Sequence, residues 1–221
     1  MKQVAKDVYQ IPVMPRSSIN TYLIHDILID AGIKSSTNTI LKAINGRQVS
    51  LHVLTHAHAD HQGSSKAICE HFDIPLWCSV LDKPQAETGD VTKEYPRQNH
   101  IITRFQKNYW AGDGHKVSKV LKENDAIGDF IVIETPGHSS GHLSFYREKD
   151  GVLIVGDAAV NMNLLTTIEG LHQPPNLFTT DKEQNIKSIR KLAYLRPKIL
   201  CFGHGPVLHN NGLFERFANA I

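Results

Sequence analysis

The chain has 221 residues, 41% of them hydrophobic and 21% charged, with a formal net charge of +2. That length and apolar content suit one packed domain, and the charge is too small to argue for nucleic acid or a membrane surface as the main partner. No apolar run approaches the ~18 residues a membrane span needs. The amino-terminal MKQVAKDVYQIPV lacks an apolar stretch of signal-peptide length, and Cys69, Cys78 and Cys201 are widely spaced with no CxxC pair, so a cytoplasmic protein with buried, reduced thiols is expected.

Short strands open the chain. Residues 8–13, 19–24 and 27–30 read as β runs, the last two separated by His25-Asp26, a tight-hairpin signal. Residues 36–45 begin with capping residues, carry Ile40, Leu41 and Ile44 at helical spacing and stop at Gly46. Residues 49–54 read as a buried strand, 64–72 as a second helix with Ala67, Ile68 and Phe72 on one face, and 74–78 as another strand. Residues 82–116 hold three glycines and two prolines and show no clean period. They are expected to be a long insertion over one end of the domain, a lid or substrate wall with Tyr95, Phe105, Tyr109 and Trp110 concentrated in it. Strands return at 117–121, 130–135, 142–147 and 151–155, the last two joined by the turn Glu148-Lys149-Asp150-Gly151. A helix over 181–194 carries Ile186, Ile189, Leu192 and Ala193 as its apolar stripe. A strand at 199–202 and a helix at 212–220 complete the series. Residues 1–221 are expected to form one domain.

The chain has 13 histidines, and three of them fall in His56-Ala57-His58-Ala59-Asp60-His61. This run follows a buried strand. Alternate residues of an extended segment point the same way, so His56 and His58 can converge on one ion, and a turn into helix lets Asp60 and His61 serve a second. Imidazole and carboxylate suit Zn²⁺ and other borderline divalent metals. Four ligand-type side chains packed this closely without a metal would leave crowded, unpaired polar groups. His138 in Thr135-Pro136-Gly137-His138, Asp157 in Gly156-Asp157 and His204 in Gly203-His204-Gly205-Pro206 repeat the pattern, each where a strand opens into a glycine-containing loop. The remaining histidines (25, 52, 71, 100, 115, 172 and 209) are expected at the surface or in the core, with His115 and His172 the two that can reach a pocket.

The series LIDAG (with Asp30), HAHADH, TPGHSSGH, VGD and GHGP, spanning residues 19–206, resembles the metallo-β-lactamase fold superfamily. The resemblance implies an α/β fold, a four-layer αβ/βα sandwich of two mixed sheets flanked by helices, with the site at one edge between the sheets. It implies two divalent metal ions, zinc first and Mn²⁺ or Fe²⁺ as alternatives. His56, His58 and His138 would hold one, Asp60, His61 and His204 the other, and Asp157 would bridge them. Two ions sharing a hydroxide would make the chain a hydrolase of a small-molecule ester, thioester or lactone. Asp60 would also orient the nucleophile or shuttle a proton. Asp30 would order the ligand loop, and His142 would support the site without being a ligand.

Several alternatives stay open. Gly137-His138-Ser139-Ser140-Gly141 matches GxSxG, but a serine elbow needs a following helix and here a strand-like run follows. True β-lactamases lack the bridging aspartate that Asp157 resembles. Quorum-signal lactonases usually carry a tyrosine three residues after it, where this chain has Val160. Glyoxalase II enzymes add a helical carboxy-terminal region, and Ile221 comes soon after His204. A persulfide dioxygenase-like oxidoreductase would use one iron on His56, His138 and Asp157. Nuclease or phosphodiesterase activity would draw on the basic, aromatic stretch from Lys93 to Lys107, against a low net charge.

Overall fold

Ile27–Ile29, Leu51–Val53 and Val152–Gly156 are buried at every position, as expected of strands covered on both faces. In the computed structural model, which describes residues 1–221, these runs occupy the middles of two sheets. The first contains β1 (Lys2–Ala5), β2 (Val8–Pro12), β3 (Asn20–Ile24), β4 (Ile27–Ile29), β5 (Leu51–Val53), β6 (Leu76–Ser79) and β7 (Val117–Leu121), side by side in chain order. Strands β1 to β4 run as an antiparallel meander, and β4 to β7 are parallel. Parallel neighbours need crossovers. These are α1 (Thr37–Ala43), then α2 (Ala59–Gln62) with α3 (Ser65–Phe72), then α4 (Lys83–Thr88) with α5 (Ile101–Phe105).

The second sheet is built from β8 (Ala126–Ile127), β9 (Phe130–Glu134), β10 (Leu143–Arg147) and β11 (Val152–Gly156). Beyond a separate hairpin of β12 (Val160–Met162) and β13 (Glu169–His172), α6 (Lys182–Tyr194) returns the chain to β14 (Ile199–Phe202). That strand pairs parallel to β11, and β15 (Leu208–His209) closes the edge before α7 (Leu213–Ala220).

Three apolar clusters make four layers of these parts. Ile29 and Val53 of the first sheet pack against Val132, Phe145 and Ile154 of the second. Leu28 and Leu76 face Ile40 and Ile68 of the outer helices α1 and α3. Leu153 and Leu200 face Ile189, Leu192 and Phe214 of α6 and α7. The expected αβ/βα sandwich is therefore the observed fold. Asp181 caps α6 by accepting from the Gln184 amide at 2.9 Å, a bond typical of Asp at a helix start. No helix is long and apolar enough to cross a membrane.

The sheets are stitched together at one edge. Tyr22 Oη donates to the Phe202 carbonyl at 2.8 Å, and Asn20 Nδ2 donates to the carbonyls of Phe202 and Gly205 at 3.1 and 2.8 Å. The Leu143 amide donates to the Thr55 carbonyl at 2.8 Å. Residues 82–116 depart from the expected irregular insertion. They contain α4, α5 and a π-helical turn, Gln106–Trp110; in α4, Pro84 sits in the first turn, where it is tolerated.

Candidate metal centre

The carboxyl ends of β5, β9, β11 and β14 meet at the stitched edge, and the loops that follow carry His56, His58, Asp60, His61, His138, Asp157 and His204. All seven are buried. His58 ends its extended segment with ψ 161°, and α2 starts at Ala59. With that switch from extended to helical backbone the His61 ring still lies 4.0 Å from the His56 ring, centroid to centroid, as close as the His58 ring at 4.4 Å. Three groups of donor atoms lie within 4.8 Å of one another: His56–His58–His138, His56–His61–Asp157 and Asp60–His61–His204. Asp157 Oδ2 stands among them, 2.9 Å from His204 Nε2, 3.4 Å from His61 Nε2 and 3.6 Å from His138 Nε2. His204 Nε2 is also 3.3 Å from Asp60 Oδ2.

The donor chemistry fits metal ions. Nε2 of His56, His58, His61 and His138 and Oδ1 of Asp157 are all buried without a hydrogen-bond partner. An unmet buried polar atom costs about 1–3 kcal/mol, so five at one point call for a partner other than protein. The far side of most rings is held by a bond that fixes the tautomer. Thr55 Oγ1 donates to Asp30 Oδ2 at 2.8 Å, so its oxygen accepts from His56 Nδ1 at 3.0 Å. His61 Nδ1 donates to the same Asp30 Oδ2 at 2.8 Å. Thr179 Oγ1, occupied in donating to the Pro175 carbonyl, accepts from His138 Nδ1 at 3.4 Å. His204 Nδ1 donates to the Ser18 carbonyl. Each of these bonds holds a proton on Nδ1 and turns Nε2 to the centre, as a lone pair in neutral His56 and His138.

Electrostatics divides the site. Burial holds His56 and His58 well below the usual imidazole range, and neighbouring imidazoles push the same way. Burial also takes His138 down to about 4, although Asp157 opposes it. These three are neutral at pH 7. At the other end burial is outweighed by carboxylates: Asp157 and Asp30 raise His61 well above its usual range, and Asp157 with Asp60 brings His204 to about 10. Burial pushes Asp60 up, but the His204 bond and the charges of His61 and His204 bring it to about 2.

His142 turns away from the centre. Its Nε2 accepts the Asp157 amide at 2.9 Å and its Nδ1 meets Thr135 Oγ1 at 2.8 Å, so it positions Asp157, as the sequence reading expected. Ser139 is buried, 3.4 Å from Asp82 Oδ2, and its loop runs into strand β10, not a helix; the serine-elbow alternative fails on that geometry. Sequence reasoning missed Asp82. It is 2% exposed, accepts from Ser139 Oγ at 3.4 Å, and has the backbone of Ala57 and Gly141, from two separate loops, beside its carboxylate. Burial and the nearby Glu94 carboxylate push it up to about 7. Packing accounts for the glycine at Gly203. A Cβ there would lie 2.1 Å from Asp157 Oδ1 and 2.7 Å from His61 Cε1, so the constraint is the packing of neighbouring side chains. Of the expected lid aromatics, Tyr95 and Trp110 line the cavity over the centre, while Phe105 and Tyr109 are 48% and 62% exposed. His172 also lines it.

A cage of imidazoles and carboxylates on strand ends, at the edge between two helix-backed sheets, is the kind of site that can hold metal ions. Comparison with known proteins gives the family. The model of the metallo-beta-lactamase superfamily matches residues 14–204, and the chain belongs to that superfamily. The probable metallo-hydrolase YflN of Bacillus subtilis is 31% identical over 203 residues, covering 81% of this chain and 75% of its own. The probable metallo-hydrolase YybB of the same organism is 28% identical, covering 98% and 96%. A metallo-beta-lactamase family protein of Thermus thermophilus superposes with a TM-score of 0.72 at 19% identity, over 99% of this chain and 80% of that one. A more distant relative is the hydroxyacylglutathione hydrolase GloC of Haemophilus influenzae, 27% identical over 80% of this chain and 79% of its own.

Proposed function

We propose that the centre holds two divalent metal ions and that the protein hydrolyses the carbonyl of a small-molecule ester, thioester or lactone. The observation that carries this reading is the set of five buried, partnerless ligand atoms at one point. His56, His58 and His138 would hold one ion and Asp60, His61 and His204 the other, with Asp157 placed to serve both. Zinc suits the mixed nitrogen and oxygen donors best, and manganese or iron suits them as well. The bound pair supplies a water nucleophile at neutral pH and Lewis acidity at the carbonyl oxygen.

The chain's own groups do the rest. Asp60, ionised at neutral pH because His204 and His61 face it, is the catalytic carboxylate; its low proton affinity suits it to orienting a water and passing a proton on. Asp30 fixes two ring tautomers through Thr55 and His61, and His142 holds the backbone of Asp157. Residues 82–116 form the insertion that walls the cavity, with Tyr95 and Trp110 excluding water from the reacting carbonyl. The three cysteines are free and buried, which suits a reducing cytoplasm.

The test is a pair of variants. His58→Ala is expected to abolish hydrolysis of generic esters, thioesters and lactones and to lower metal content. Asp157→Ala is expected to weaken binding of both ions. Undiminished turnover in the first, or two ions fully retained in the second, contradicts the assignment. A single iron per chain with oxygen consumption would put the dioxygenase-like chemistry in its place.

A further inference from the structure

The cavity above the metal centre has a volume of about 590 Å³, within the ~300–1,000 Å³ usual for small-molecule sites. One wall comes from α5 and the π-helical turn, where Ile102, Gln106 and Trp110 recur every four residues and all line the space. The hairpin β12–β13 and its loop add Val160, Met162 and Leu165. The mouth is apolar as well: Leu165 is 93% and Ile102 43% exposed while lining the cavity. The chain has 24 lysines and arginines, and none of them lines the cavity. Arg16 lies outside the lining; it donates to Oγ1 of Thr167, a lining residue, at 2.7 Å. The charged groups that do line the space are the carboxylates and imidazoles of the metal centre, with His172 besides.

From this distribution we infer that the substrate is uncharged and carries an apolar acyl or alkyl chain, and that substrates held by a remote carboxylate or phosphate are excluded. The inference rests on the hydrolase reading and narrows it. When the scissile carbonyl occupies the metal floor, the rest of the substrate meets the aliphatic and aromatic walls. A carboxylate placed there loses its water and finds no cation. An alkyl chain gains from each buried methylene. The polar partners available on the walls are neutral: Gln106 and Gln173 both line the cavity, and each has a carboxamide oxygen with no hydrogen-bond partner. Both oxygens are buried, and these side chains add no charge to the wall. This wall chemistry differs from what a glutathione thioester, a phosphodiester or a nucleic acid would require.

The test compares two p-nitrophenyl esters of equal chain length on the metal-loaded protein, the octanoate and the monoester of suberic acid, which ends in a carboxylate. A series of acetate, butyrate, hexanoate and octanoate accompanies them. The expected kcat/KM rises about threefold to fourfold per methylene along the series, the value that burial of a CH₂ predicts, and falls at least tenfold from octanoate to the suberate monoester. Ile102→Lys, at a half-exposed wall position, is expected to raise turnover of the suberate monoester and lower that of the octanoate. Binding is read separately from turnover, by octan-1-ol titrated into the Trp77→Phe variant, in which Trp110 is the remaining tryptophan; a shift of its emission is expected. Equal or faster turnover of the suberate monoester by the unaltered chain overturns the inference, as does octanol that leaves Trp110 unmoved. If no ester is cleaved while octanol still shifts Trp110, the hydrolase reading fails and the apolar cavity stands.

Discussion

Asp30 supports ligands at both ends of the centre, which makes Asp30→Asn an informative perturbation. Its Oδ1 accepts from the Thr55 amide and its Oδ2 from Thr55 Oγ1 and His61 Nδ1, all at 2.8 Å. Asparagine keeps the shape and tolerates the backbone, which lies at φ +58°; alanine would add about 1–2 kcal/mol of left-handed strain. The amide, however, puts an NH₂ where Oδ2 accepted. His61 must then turn its Nδ1 lone pair toward the asparagine and carry its proton on Nε2, the atom that faces the centre. Loss of such a supporting bond costs about 10–100-fold in metal affinity, roughly 1.4–2.7 kcal/mol. One buried bond left unmet costs about 1–3 kcal/mol of stability, which for a chain of this size is a melting shift of roughly 2–12 °C. Chelator competition, with the melting temperature of the metal-free protein alongside, reads both numbers. The His61 end loses its bond directly, and the three-histidine end is expected to weaken as well, because Thr55 Oγ1 loses the acceptor that left its oxygen free for His56 Nδ1. An Asp30→Asn protein that binds two ions with unchanged affinity would refute the tautomer argument.

Further outcomes follow from the same geometry. Gly203→Ala drives a Cβ to 2.1 Å from Asp157 Oδ1 and is expected to lose metal binding while the far-ultraviolet circular dichroism stays native; normal metal content would show that the loop gives way. Ion binding at the two ends differs in its protons. His56, His58 and His138 are neutral at pH 7 and release none, whereas His61 and His204, raised by carboxylates, must give theirs up. Calorimetry in buffers of different ionisation enthalpy is therefore expected to show proton release for the second ion only, with its affinity climbing as pH rises toward about 10. The metal-free fold has an acid limit. His138 has a native value of about 4 against an ordinary 6.5, so the native state binds fewer protons than the unfolded chain between them. Its contribution is present above about 6.5 and is lost as pH falls to about 4; a melting temperature that does not fall over that window contradicts the neutral assignment.

Much of the centre was legible because its residues obey local rules. His56, Asp157 and His204 each follow a buried strand, and β11 carries the unbroken run VLIVG, which coverage on both faces explains; His138 follows the half-exposed β9. The order of strands and helices followed from the same runs. Other parts lacked a local signal. Strand β1 is KQVA, with its first two residues exposed, so it shows no alternation to read. The hairpin β12–β13 is seven residues of strand, VNM and EGLH, too short to show a period of its own. Helix α5 carries Ile101 at 78% and Phe105 at 48% exposed, an inverted pattern that hides a helix from periodicity. Asp82 could not be singled out because its partners, the backbone of Ala57 and Gly141, come from separate loops.

The central claim is that these seven side chains cradle a pair of cations, and elemental analysis of the purified protein tests it most directly. Close to two equivalents of transition metal per chain are expected, removable by chelation together with activity and restored with it. Preparations that take up no more than traces, even after incubation with zinc, manganese and ferrous salts, would contradict the account.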